Sequence, residues 1–237
     1  VIGLERGLTD PITELNMGQT AEVLAHRFGI DRKTADAYAM ESHHRLAAAQ
    51  KDGTLSREVM PAFDRDGTVY DHDDGVRPES DMDGLAKPKP VFEPPYGKVT
   101  AGNSSQITDG ASWCIIASEQ AVEKLRLEPL AEIKDSEWAA LDPSIMGLGP
   151  VLASTPMAKR HGLGIGDIGL WELNEAFAAQ VLSCLAAWQD KDFCREVLGL
   201  DHVFGRIDRD QLNVDGGAIS LGHPVGTSGN RIVLHLA

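Results

Sequence analysis

Apolar residues recur with helical spacing at the start of the chain. Ala21, Leu24, Ala25 and Phe28 share one face of a 3.6-residue repeat, and Gly29 stands where a glycine ends such a helix. Asp31 is placed to cap a second helix through Gln50, with Ala35, Tyr38, Ala39, Leu46 and Ala49 inward and Gly53 as its stop. From Met60 to Lys98 the periodicity disappears and six prolines punctuate the run. That predicts an extended, loop-rich covering segment with a weak strand at most.

Beyond Thr100 the pattern changes. The small-residue run Ala101–Ala111 leads into an apolar stretch, Trp113–Ala117, which reads as a buried strand. A helix over Glu119–Leu125 follows, then a strand around Leu130–Trp138, a helix around Pro156–His161, a strand Gly169–Leu173 and a helix Ala176–Trp188. Gly229–Ala237 has the pattern of an amphipathic helix. Alternating strands and helices imply a layered α/β core, with a boundary near residue 129 between two such units.

Composition narrows the class. Charged residues are 24% and apolar residues 42% of the 237, as in a globular protein. A net charge of −14 repels phosphate backbones, so nucleic acid is an unfavourable partner, although a few local cations can still hold one small anion. No apolar run reaches the roughly 20 residues of a membrane span. Cys114, Cys184 and Cys194 form no CxxC pair and no even disulfide framework, which fits a reducing, cytoplasmic setting and buried or incidental thiols. A first residue of Val1 and a terminal helix without a stop signal suggest an internal piece of a longer protein.

Some motifs fail on context. Gly164–Gly169 has the G-x-G-x-x-G spacing of a dinucleotide site, but it follows a helix and opens a strand, so an αβ connection is expected. Asp71, His72, Asp73 and Asp74 lack calcium-loop spacing and read as a solvated loop. Adjacent His43 and His44 cannot share a helical face, and no metal site is expected. Cys194–Asp210 reads as a surface insertion.

Two stretches carry chemistry. Asn174-Glu-Ala-Phe177 lies at a strand-to-helix junction, where Asn174 either meets a ligand or caps the helix. Gly216–Gly229 has five glycines and frames His223 between Gly222 and Pro224. An imidazole so held suits general-base work or hydrogen-bond donation to a developing oxyanion.

Together these stretches resemble the thiolase family. Gly216–Pro224 is similar to its histidine signature and Asn174–Phe177 to its asparagine motif. Asn16–Glu22, Val99–Ser105 and Met146–Pro150 resemble further family segments in the same order. The resemblance implies an α/β fold of the thiolase-like layered α/β/α/β/α type, here incomplete, with a helical, loop-rich CoA-binding loop domain. Residues 1–107 would be that loop domain, 108–128 the end of the N-terminal half, and 129–237 a truncated C-terminal half. The family's nucleophilic cysteine and its second cysteine, in a Cys-x-Gly-Gly turn, have no counterpart among Cys114, Cys184 and Cys194.

The implied chemistry is CoA-dependent thiolytic cleavage of a 3-ketoacyl-CoA, or the reverse Claisen condensation, with CoA as substrate and no permanently bound cofactor. By resemblance, His223 activates the nucleophilic cysteine and donates to a thioester oxygen, and Asn174 holds a water that donates to the same oxygen. Without that cysteine, the 237 residues alone are expected to be inactive. CoA and acyl-chain contacts fall at Met17, Arg77, Phe92, Ala101, Ser105, Met146 and Phe177; Arg77 suits the nucleotide end, and ordinary packing is the rival role for each apolar residue. Asn16 stands where short-chain biosynthetic members have His, which tilts the reading toward a degradative enzyme for longer chains. Acyl-CoA and CoA are the implied partners, in a homodimer or homotetramer. A biosynthetic acetoacetyl-CoA thiolase, a ketoacyl synthase and a non-catalytic CoA- or lipid-binding relative are the alternatives.

Overall fold

A computed structural model describes residues 7–237. Helix α1, Met17–Phe28, opens with Asn16 as its cap: the Asn16 side chain accepts from the Gln19 amide and the Gln19 side chain accepts from the Asn16 amide. It ends at Gly29, whose φ of 66° is left-handed. Helix α2, Arg32–Asp52, is capped by Asp31, which accepts from Thr34 N at 2.7 Å. Both helices extend slightly beyond the limits that their apolar spacing predicts. The loop-rich stretch holds a hairpin of β1 (Ala62–Phe63) with antiparallel β2 (Val69–Tyr70), and the short helix α3, Met82–Ala86.

Further along come α4 (Glu119–Leu125), α5 (Gly149–Arg160), α6 (Ala178–Gln189), α7 (Lys191–Glu196), α8 (Ala218–Leu221) and α9 (Ser228–Leu236). Helix α5 begins earlier than expected. Pro150 sits in the first helical turn, where a proline has no amide to lose and a φ already suited to the helix. Helix α6 begins two residues late because Ala176 and Phe177 bond sideways. Ser105 N donates to Ala176 O, and Ala178 N donates to Asn103 O.

The core gathers α1, α2, α5 and α6. Leu24, Ala39, Leu148, Val151 and Trp188 are fully buried, and Trp188 Nε1 donates to Thr155 Oγ1 at 3.0 Å. Most of the expected surface insertion, Cys194–Asp210, is exposed, but it is anchored to this core. Cys194, Leu200 and Ile207 are buried, and Gly205 N donates to Trp188 O.

The expected strands are where the structure departs most. Gly169–Leu173 is extended but makes a single parallel bridge, Trp171 to Leu212. Trp113–Ala117 and Leu130–Trp138 form no strand and are not buried. Trp113, Ile115, Ile116, Leu130, Ile133 and Trp138 are all exposed, Trp138 by 92%. A strand exists only through a neighbour's hydrogen-bond ladder, and among the described residues none runs beside these two. Cys114, expected on a buried strand, is exposed, with its thiol 3.1 Å from Asn230 Oδ1.

Candidate active site

Three segments build the site, and one buried carboxylate joins two of them. Glu175 is 1% exposed. Its Oε1 accepts from Tyr38 Oη (2.9 Å) and Asn213 Nδ2 (2.8 Å), and its Oε2 from Ser42 Oγ (2.7 Å) and Ile219 N (3.3 Å). Buried acceptors need such a full set of donors, since an unmet one costs on the order of 1–3 kcal/mol. Asn213 also donates to Leu173 O and accepts from Leu173 N. Arg45 holds the Leu212 and Asn213 carbonyls from α2. Residues 172–175 are thereby fixed to the loop that ends in His223.

The glycines of that loop serve this contact. Gly216 has φ 83° and lies against the backbone of α2 at Ser42 and Leu46. Gly217 is extended, but a Cβ there would fall 2.5 Å from the Glu175 carboxyl carbon. The chain then turns through α8 to His223, whose amide donates to Gln106 O at 3.0 Å.

His223 and Asn174 meet. Asn174 Nδ2 lies 3.3 Å from His223 Nε2, and Ser228 Oγ lies 2.6 Å from His223 Nδ1. Ser228 donates its own proton to Pro224 O, so the pattern assigns the ring proton to Nδ1 and a lone pair to Nε2. Burial, with Arg231 as a lesser cause, holds the imidazole below its ordinary value, which keeps it a free base at neutral pH. Asn174 Oδ1 is buried and accepts no hydrogen bond from the described residues. Asn174 does not cap α6, whose N-cap is Phe177.

The remaining candidates flank this pair. Met17 and Phe177 are half-buried, and Phe92 meets Phe177 edge-on with centroids 6.0 Å apart. The Phe92 ring occupies the space in which a side chain at Gly18 would sit. Met146 is 43% exposed, next to Gly147, which packs on Leu24 and Gln180. Ala101 is exposed; Ser105 is half-buried and paired with Ala176. Arg77 is exposed on a segment whose Gly75 carbonyl accepts from Gln106, the residue bonded to His223. Its amide donates to buried His43, whose imidazole is lowered to about 4 by burial and by the Arg77 charge. Asn16 spends its side chain on the α1 cap, which gives that position a local structural reason.

Other motifs take ordinary places. Ile165–Asp167, within the G-x-G-x-x-G run, is a 3-10 turn between α5 and the extended segment. The Asp71–Asp74 loop is exposed. Glu22, His26 and Glu93 bring potential ligand atoms within 4.8 Å of one another, but buried Glu22 already accepts the Lys98 and Val99 amides. Cys184 is buried, with its thiol pushed up to about 12, and Cys194 is buried too. Neither is a nucleophile. Spacing gave Tyr38 only an inward place on α2 and did not single out Glu175, Ser42, Asn213 or Ser228. Glu175 and Ser228 lie inside the two notable stretches, so only partner residues distant in sequence were without a signal.

An imidazole and a carboxamide that converge from two loops can together polarise a carbonyl oxygen. Comparison with known proteins gives the family. The profile for "Thiolase, N-terminal domain" matches residues 2–120, and that for "Thiolase, C-terminal domain" matches 127–237. The chain belongs to the thiolase family. It is 46% identical over 220 residues to a 3-ketoacyl-CoA thiolase of Cronobacter sakazakii and 44% identical to one of Escherichia fergusonii, in each case over 91% of this chain and 53% of the relative. It therefore spans about half the length of these relatives. Human mitochondrial 3-ketoacyl-CoA thiolase superposes with a TM-score of 0.83 at 38% identity, over 99% of this chain and 55% of that one. The same enzyme in complex with CoA superposes at 0.82, over 98% and 54%. The Bacillus anthracis acetyl-CoA acetyltransferase superposes at 0.83 and 33% identity, over 99% and 56%. The fold is thus the thiolase α/β fold. Among the described residues no helix is long and apolar enough to cross a membrane.

Proposed function

We propose that this chain carries the oxyanion half of an acetyl-CoA C-acyltransferase site, for thiolytic cleavage of 3-ketoacyl-CoA or the reverse condensation. The observation that supports it is the 3.3 Å contact of Asn174 with His223, inside a frame fixed by Glu175. In thiolysis an enolate leaves and a thiolate attacks, so negative charge gathers on a carbonyl oxygen. His223 Nε2, which here accepts from the Asn174 amide, exchanges that donor for a cysteine thiol and takes its proton. The resulting Nε2–H then donates to the thioester oxygen. Asn174 Oδ1, an acceptor without a protein donor, is suited to hold the water that donates beside it. Cys184 and Cys194 are buried, Cys114 lies against Asn230, and no cysteine here has the family's motif, so we assign the nucleophile to a residue outside this sequence.

Phe92, Phe177, Met17 and Met146 form apolar walls for pantetheine and acyl chain, Ser105 and the Ala101 backbone bind amides, and Arg77 binds the nucleotide phosphates. On this reading residues 1–107 are the CoA-binding loop domain, 108–128 close the first half and 129–237 belong to the second. CoA is a substrate, no cofactor is permanently bound, and the intact enzyme is a cytoplasmic homodimer or homotetramer. Calorimetry with acetoacetyl-CoA tests the reading. The 237-residue chain is expected to bind it, Arg77→Ala and Phe92→Ala to weaken binding, and acetyl-CoA not to form when CoA is added. Absence of binding by the unaltered chain, or turnover by it, would contradict the assignment.

A further inference from the structure

A second cluster of ionisable groups lies behind the catalytic pair. Glu172 stands two residues before Asn174 on the same extended segment, and its side chain is 2% exposed. Arg231, on α9, places Nη2 3.4 Å from Glu172 Oε2. One turn further along α9, His235 places Nε2 3.9 Å from Glu172 Oε1 and 3.4 Å from Asp215 Oδ2. Its Nδ1 lies 2.9 Å from Glu58 Oε1. Asp73 also feels the Arg231 charge, and Glu172 that of Glu175.

The cluster ties together the elements that carry the site. Arg231 lies three residues beyond Ser228, on the same side of α9, and Ser228 holds His223 Nδ1 at 2.6 Å. Glu172 is continuous with Asn174, and Asp215 directly precedes the glycine loop. The Arg231–Glu172 contact therefore spans, in one step, the segment bearing Asn174 and the helix that orients His223. Burial pushes the Glu172 carboxyl up to about 7, so the pair is fully ionised only above neutral pH; there both charges are largely withdrawn from water, and the loss of either leaves the other uncompensated.

We propose that Glu172 and Arg231, with His235 beneath them, form a brace that sets the orientation of His223 against Asn174, Arg231 and Glu172 being positioning residues for the thioester-oxygen site. The proposal rests on the functional reading of that pair, but its test does not need turnover. The same Arg231 charge adds to the effect of burial in keeping His223 neutral. His235 is raised, chiefly by its hydrogen bond to Glu58, so it changes charge above the pH at which His223 does.

The test is NMR of the full 237-residue chain with labelled histidines, titrated from acid to alkaline pH. In the unaltered chain the His223 ring is expected to report one tautomer, protonated at Nδ1, and to show a second, smaller step where His235 titrates. Arg231→Gln should raise the His223 pKa and mix the two tautomers, and Arg231→Lys should restore the single tautomer at least in part. A merely structural role would lower the melting temperature of a folded variant without changing the ring signals. A folded Arg231→Gln chain with His223 unchanged would overturn the proposal. If that variant does not fold, the unaltered chain still decides, because a His223 titration without the His235 step would overturn it equally. Failure to bind acetoacetyl-CoA would count against the functional reading and leave the ring measurement standing.

Discussion

Two regions of this chain have opposite fates. Around Glu175, side chains from α2, the 172–175 segment and the glycine loop close on one another, and Tyr38, Ser42, Asn213 and Ile219 all spend a donor there. Between Ile107 and Trp138, the large apolar residues Ile107, Trp113, Ile115, Ile116, Leu130, Ile133 and Trp138 face solvent. The difference lies in what completes each structure. The first region closes with groups supplied by the chain itself, whereas extended strands need a ladder from another segment, and apolar content does not supply one.

The contrast can be broken or sharpened by substitution. Glu175→Ala would leave several buried donors unmet at once, and we expect a loss of about 3 kcal/mol or more in denaturant unfolding. A loss below about 1 kcal/mol would show that the carboxylate is not the link between the two loops. At the other extreme, Ile115→Ser and Trp138→Ser remove apolar groups that bury little. Their melting curves should stay within about 0.5 kcal/mol of the parent. A cost near that of Glu175→Ala would mean that those residues are packed after all.

The same division governs what could be read from sequence. Helices α1 and α2 were legible because their signals are local: an apolar stripe, Asn16 or Asp31 at one end, and Gly29 or Gly53 at the other. Helix α4 was legible for the same reason, with Ser118 as its cap. The two strands were misread because a hydrophobic run reports a wish for burial but not the presence of a partner. The start of α6 was misplaced because Ser105 and Asn103, far away in sequence, claim the backbone of Ala176 and Ala178. At the site, His223 and Asn174 stood out through their neighbours in the motifs. Glu172 and Arg231 had no such mark, and only the folded chain brings them together.

The central claim is that the imidazole and the carboxamide act on one thioester oxygen. The most direct measurement is the 13C resonance of acetoacetyl-CoA labelled at its thioester carbonyl, recorded free and bound to this chain. At a pH acid enough to protonate His223 at Nε2, its donation and that of the water on Asn174 should move the bound signal downfield. His223→Ala should abolish most of that displacement, and Asn174→Ala part of it, with the ligand still bound in each case. A bound carbonyl at its free position, or one that moves equally in all three proteins, would contradict the account.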